Sequence, residues 1–307
     1  ILFLYLSLVI IIKKFTKLVD LNPENEKVSI LGSAMIGALS LCFSDSFWFN
    51  AVEAEVYAMA TLILSVLFWL ALKWEEEMNT EYGDRWLLII SFVIGLSFGV
   101  HFMGLLTIPA IGMIYFFKNT KKITFKNFIL SNLISVAILL FIFKLLLPST
   151  LAIFGEVEVY FVNNLNLPFN TGTIFTGVII LLFFYYGLKF TSQKNWVNIN
   201  TSILCLFFVL LGFSSWIMLP IRANANTVIN ENSPTDARQL LAYYNLEQYP
   251  ETKLFYGPMF SDMYAGQDDI EPYIDDKPKY ERDYTLKKYV IVNNWERAKV
   301  NSNRNHR

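Results

Sequence analysis

The amino-acid sequence predicts an all-α polytopic membrane protein followed by a small α/β soluble segment, and two observations predict it. Apolar residues fill 54% of the 307 positions and charged residues only 17%, against about 25% charge in an ordinary soluble domain. The charge is also unevenly placed. Residues 1–220 hold 13 basic and 13 acidic groups, whereas the 87 residues of 221–307 hold 12 and 13. The expected division is therefore a transmembrane body over 1–220 and a polar outer segment over 221–307. Disordered, collagenous and disulfide-scaffold classes are excluded, and so is an ordinary soluble enzyme.

The apolar runs lie at about 1–12, 28–44, 56–73, 86–101, 103–117, 128–147, 173–190 and 199–219. A span needs about 20 residues at ~1.5 Å each. Trp86 to Phe117 is the ambiguous stretch. One helix of that length would reach roughly 48 Å, more than a ~30 Å hydrocarbon core. The alternative is two short helices with a turn near His101–Gly104. With two helices, 12 of the 13 basic residues of the body fall on one side, Lys144 being the exception. The opposite loops, 45–55, around 102, and 148–172, hold no Lys or Arg but carry Asp45, Glu53, Glu55, Glu156 and Glu158. The positive-inside rule therefore favours about eight membrane segments, with Ile1 and the tail outside. A short interfacial helix is expected around Leu151–Val162.

In the tail, Ser233-Pro234-Thr235-Asp236 reads as a helix start, with Ser233 as N-cap and a helix over Ala237 to Asn245. Leu254–Tyr256 and Tyr289–Val292 are strand candidates. No Gly-rich phosphate loop or nucleophile elbow occurs. Cys42 and Cys205 sit in apolar runs and read as core residues without metal or disulfide spacing. The net charge of −1 gives no reason to expect a nucleic-acid partner.

The outer loops hold the candidate site. Glu53 and Glu55 precede a span. Two positions apart on a helix, they would point about 200° apart and would not form a carboxylate pair. They are either an acidic interface loop or, in part, ligands for a sugar hydroxyl or a cation, with Tyr57 beside them at the membrane edge. Asp45 is a binding group or a helix cap. Trp48 belongs to an interface belt or stacks on a sugar face. His101 lies at the turn of the short hairpin, as a satisfied hydrogen-bonder or a site residue. Arg222 follows the last span, as a surface arginine or a fork for a lipid-linked phosphate. Lys144 snorkels to headgroups or binds a phosphate.

Three stretches carry a family resemblance: FSDSFWFNAVEAEVYAMATL (43–62), DRWLLIISFVIGLSFGVHFMGLLTIPAIGMIYFF (84–117) and IRANANTVINENSPTDARQLLAYYNLEQY (221–249). They resemble bacterial membrane proteins grouped, under a domain of unknown function, with protein O-mannosyltransferases. A vertebrate O-mannosyltransferase of the endoplasmic reticulum is similar to them. The resemblance runs over roughly 1–265. It implies a GT-C-like helical body with a site built from outer loops. It also implies transfer of a sugar, mannose, from a polyprenyl-phosphate carrier to Ser or Thr of an exported protein. The matching residues are Glu53, Glu55, Tyr57, His101, Arg222, Asn230, Glu231 and Asp236. The family's catalytic acid belongs to a Trp-Asp-Cys-Gly-Glu type loop followed by His-Pro-Pro-Gly, and neither motif occurs here. The chain therefore reads as a fragment whose catalytic residue is expected upstream of Ile1, inactive by itself. Whether a divalent metal takes part is left open.

The competing function is a transporter or flippase of a lipid-linked sugar. Transporters place charges at the bilayer midplane, whereas the acids of this body lie in loops or at edges, which favours the transferase. The partners implied are the bilayer, the lipid-linked sugar donor and an exported protein acceptor. The outer segments lack Asn-x-Ser/Thr sequons, which favours a bacterial inner membrane over the endoplasmic reticulum.

Overall fold

The computed structural model describes residues 1–17, 22–225, 227–230, 232–247, 249, 270, 273–275, 278–292 and 295–297. Its helices are α1 (Leu2–Thr16), α2 (Pro23–Cys42), α3 (Asp45–Val52), α4 (Tyr57–Glu77), α5 (Asp84–Ser97), α6 (Thr107–Asn119), α7 (Phe125–Leu140), α8 (Leu147–Asn163), α9 (Thr171–Gln193), α10 (Val197–Phe213), α11 (Met218–Asn224) and α12 (Ala237–Tyr244). A 3₁₀ segment (Phe102–Leu106) precedes α6, a π-helical turn (Phe141–Leu146) joins α7 to α8, and a second 3₁₀ segment (Ser214–Ile217) follows α10. Four short strands, β1 (Tyr273–Asp275), β2 (Lys279–Asp283), β3 (Lys288–Val292) and β4 (Trp295–Arg297), close the order.

Among the described residues, five helical runs are long and apolar enough to cross a membrane, or six if the bent pair α2 and α3 counts as one span. The expected count of eight is not confirmed by this. Helix α5 has 14 residues, shorter than the about 20 of a full span. The stretch 86–117 is indeed broken, since α5 ends at Ser97 and regular helix resumes only at Thr107. The run Phe125–Asn163 is 39 residues long, roughly twice a span. Its second part, α8, occupies the place where an interfacial helix was expected.

Contacts divide the chain into two compact units. The first comprises Ile1–Leu145 and Phe183–Ile217, the second Leu146–Leu182 and Met218–Arg307. Residues 146–182 thus pack with the polar tail.

In the first unit, α5 packs on α10, α6 on α7, and α4 on α1, α5 and α6. The core is Leu67, Leu70, Ile90, Ile94 and Phe98, all buried. The α5–α10 contact is close because small residues face each other. A Cβ on Gly95 would run into the carbonyl of Val209, and one on Gly212 into that of Phe92. Small residues at a membrane helix contact let backbones approach, which is how such helices gain van der Waals energy. Several buried hydroxyls are satisfied within their own helices: Ser7 donates to the carbonyl of Phe3 (2.8 Å), Ser91 to Leu87 (2.9 Å) and Ser135 to Ser131 (2.8 Å). At one end, Lys14 pairs with Glu75, and Arg85 with Glu77 (2.6 Å).

In the second unit, α12 packs on α8, and the antiparallel β2–β3 hairpin packs on both helices. The hairpin pairs Lys279 with Val292 through Asp283 with Lys288. Its turn is tied by Asp283 Oδ1, which accepts from the N–H groups of Thr285 and Leu286 at 2.8 and 2.9 Å. Strands β1 and β4 form a separate antiparallel pair. Strand β3 falls where the sequence placed one, while Leu254–Tyr256 lies outside the described residues. Helix α12 also lies where expected, but its cap is Asp236, not Ser233. Asp236 accepts from the N–H of Gln239 at 2.9 Å, and Gln239 Oε1 reaches back to the N–H of Thr235 at 2.8 Å. The reciprocal bonds fix the start three residues later than the proline suggested.

Candidate functional site

Of the candidate residues of the first unit, Glu53, Glu55 and Tyr57 lie at the start of α4, and the fold brings His101 to Tyr57. Helix α2 ends at Cys42 and the chain turns by 60° into α3. Asp45 is the first residue of α3, behind Ser44 as N-cap, and lies in the first turn where an acid favours the helix dipole. Trp48 and Phe49 are well exposed, and α3 has no buried residue. A short helix with bare aromatic rings suits a membrane interface. Glu53 caps the end of α3 through its N–H to the carbonyl of Phe49 (3.3 Å). Glu53 and Glu55 are both exposed, and neither has an ion-pair partner among the described residues.

Tyr57 opens α4, and its ring lies 6.0 Å from the imidazole of His101. The fold therefore joins two candidate residues 44 positions apart in sequence. His101 is held in place from several directions. Its N–H donates to the carbonyl of Ser97 (2.7 Å), its backbone is extended, and its Nδ1 accepts from the N–H of Met103 (3.1 Å). That bond makes Nδ1 the unprotonated nitrogen and leaves the proton on Nε2. Phe98 and Phe102 meet edge to face at 5.4 Å, and Phe102 meets Phe143 at 5.4 Å. The indole of Trp216 donates to the carbonyl of Phe98 (2.9 Å), satisfying a group that the end of α5 leaves free. The turn that carries His101 is thus rigid, and its imidazole is half-buried.

Lys144 lies in the π-helical turn with its ammonium 4.8 Å from the ring centre of Phe143. No three His, Cys, Asp or Glu side chains come together as a metal site among the described residues. Arg222 belongs to the second unit. It is exposed in the last turn of α11 and has no ion pair among the described residues. Asn230 is tied to Ser233 Oγ at 2.8 Å, and Glu231 lies outside the described residues.

The second unit contains a polar cluster that the sequence did not single out. Glu158, on α8, has no exposed surface. Its carboxylate accepts from the N–H of Asn170 (2.6 Å), the N–H and hydroxyl of Thr173 (2.9 and 3.0 Å) and the hydroxyl of Tyr289 (3.2 Å). The Tyr289 oxygen in turn accepts from Arg282 Nε (3.0 Å), which lies 3.2 Å from Asp236 Oδ2 without hydrogen-bond alignment. Asn163 bonds both the N–H and the carbonyl of Tyr289 at 2.8 Å, in the manner of a neighbouring strand. Burial, partly opposed by the Gln239 N–H and by Arg282, raises the Asp236 pKa. Burial likewise raises the pKa of Tyr289. The cluster fastens the hairpin to α8 and α12, so Asp236 has a structural task beyond any part in binding. The one local signal for it is Asn170, whose left-handed backbone (φ 72) suits asparagine.

The class follows from these features: a multi-helical protein with several helices able to cross a membrane, carrying aromatic and acidic groups at the head of α4. Residues 1–124 match the family described as the N-terminal domain of the protein O-mannosyl-transferase TMEM260. This agrees with the resemblance carried by residues 43–62 and 84–117. No curated protein and no solved structure matches the chain.

Proposed function

We propose that the protein is a glycosyltransferase that moves a sugar, mannose, from a polyprenyl-phosphate carrier to Ser or Thr hydroxyls of exported proteins. The observation that carries the reading is the match of residues 1–124 to an O-mannosyltransferase domain. In this reading Asp45, Trp48, Glu53, Glu55, Tyr57 and His101 bind substrate at the head of α4. Carboxylates and an imidazole suit sugar hydroxyls, and an exposed indole suits a sugar face. Arg222 takes the donor phosphate, since guanidinium forms a two-pronged contact with it. The proton-abstracting acid, which must be held partly desolvated near the acceptor hydroxyl, is assigned to none of these residues. The membrane is a bacterial inner membrane in this reading, and the outer segment 221–307 faces the acceptor.

The test is transfer of labelled mannose from a polyprenyl phosphate to a Ser/Thr acceptor peptide by the full-length protein. Glu55→Gln keeps the size and removes the charge. It lowers transfer by ~2–4 kcal/mol of transition-state stabilisation without lowering expression, while Glu76→Gln leaves it unchanged. Arg222→Lys raises the apparent donor KM. Absence of transfer from any polyprenyl-phosphate sugar, with carrier transport across vesicles instead, overturns the reading.

A further inference from the structure

The first unit contains a cleft of about 790 Å³ between two helix pairs, α5 with α10 on one side and α6 with α7 on the other. It follows α7 from Asn127 to Ile142, about 22 Å at ~1.5 Å per residue. Its lining changes character along that length. Thr120, Asn127, Ser131 and Thr201 line one end, and Ile108, Ile138 and Phe141 line the other. Thr201 already donates to Asp84 (2.8 Å). The side chains of Thr120, Asn127 and Ser131 have no hydrogen-bond partner among the described residues. The polar end lies near the α6–α7 loop; Lys121 and Lys122 in that loop, Lys118 at the end of α6 and Lys126 at the start of α7 are exposed, without an ion-pair partner among the described residues. A mostly apolar cleft whose polar end has lysines next in sequence to its lining residues Thr120 and Asn127 has the form of an amphiphile with an anionic head.

We infer that this cleft binds an anionic glycerophospholipid, with one acyl chain along α7 and the phosphate at Lys121, Lys122 and Lys126. The charge at the mouth selects an anionic over a zwitterionic head. The positive-inside rule assigns this loop to the cytoplasmic leaflet, where anionic phospholipids attract basic segments. A sugar donor used on exported acceptors would be held at the opposite side. In the transferase reading the site is therefore distinct from the head of α4; the lipid binding itself rests on the cleft and the lysines alone.

The experiment is native mass spectrometry of the full-length protein in mild detergent, titrated with phosphatidylglycerol, phosphatidylcholine or undecaprenyl phosphate. Phosphatidylglycerol remains bound where phosphatidylcholine does not. The variant Lys121→Gln/Lys122→Gln/Lys126→Gln weakens phosphatidylglycerol at least about tenfold, as each lysine near an anionic head contributes a several-fold factor. Ser131→Phe fills the cleft and removes binding. A photoreactive group at the acyl end of phosphatidylglycerol labels α7 or α10 near Ile138 and Val209. Equal retention of phosphatidylcholine, preferred retention of undecaprenyl phosphate, or unchanged binding in the lysine variant overturns the inference. The lysines are exposed, so that variant keeps the test decisive if Ser131→Phe fails to fold.

Discussion

Replacing Glu158 by glutamine tests whether the polar cluster holds the second unit together. The carboxylate meets four donors, at 2.6, 2.9, 3.0 and 3.2 Å, and has no exposed surface. A glutamine keeps one acceptor oxygen and sets an NH₂ against the donors of the other. The hydroxyls of Thr173 and Tyr289 can rotate to accept from it, but the backbone N–H of Asn170 or of Thr173 cannot. One buried amide is then left unpaired at a cost of about 1–3 kcal/mol, and the remaining bonds lose their charge assistance, worth roughly another 1–2 kcal/mol. Relief of burying a second negative charge near Asp236 opposes these terms. We set the net loss at about 2 kcal/mol, close to a thirtyfold change in the opening equilibrium. Hydrogen exchange in the full-length protein reads this at the amides of Asn170, Thr173 and Tyr289, which should exchange about thirtyfold faster. Unchanged or slower exchange would mean that desolvation of the carboxylate outweighs its bonds, and would refute the reasoning.

Three further outcomes follow from particular contacts. Gly95→Ala pushes a methyl group into the backbone of α10 at Val209 and should destabilise by about 1–3 kcal/mol or more, seen as earlier thermal aggregation. Gly32→Ala, with nothing within 4 Å of the new methyl group, is the control and should be neutral or gain up to about 1 kcal/mol from helix propensity. Burial pushes the Tyr244 phenol up to about 12, against about 10 in an unfolded chain. The folded state then holds its proton longer than the unfolded state. Its contribution is complete below pH ~10 and is lost as pH rises from there to about 12. Proteolysis of the tail across that range should rise more steeply in wild type than in Tyr244→Phe, and parallel profiles would count against it. Cysteines placed at Ser46, Asn164 and Asn245 should react with an impermeant thiol reagent from outside and one at Thr120 should not. Labelling at Thr120 from outside would invert the lysine-based topology.

The sequence by itself determined what depends on composition and on neighbours along the chain. Apolar runs named the helices, because a helix in lipid satisfies its own backbone groups and needs only apolar side chains outside. The break within 86–117 was legible because a single helix would be too long. Helix α12 and strand β3 followed from local signals. The stretches around Glu53, Glu55 and His101 pointed to the family. Tertiary structure alone decided what depends on distant partners. His101 and Tyr57 meet only once α4 and the turn after α5 are packed. Asp236 displaces Ser233 as the cap because Gln239 completes the reciprocal bonds. Glu158 reads in sequence as one more outer-loop acid, yet it is fully buried. Its partners Asn170, Thr173 and Tyr289 stand 12, 15 and 131 residues away. A buried carboxylate is tolerable only where several donors converge, and convergence over such separations is a property of the fold that no local pattern records.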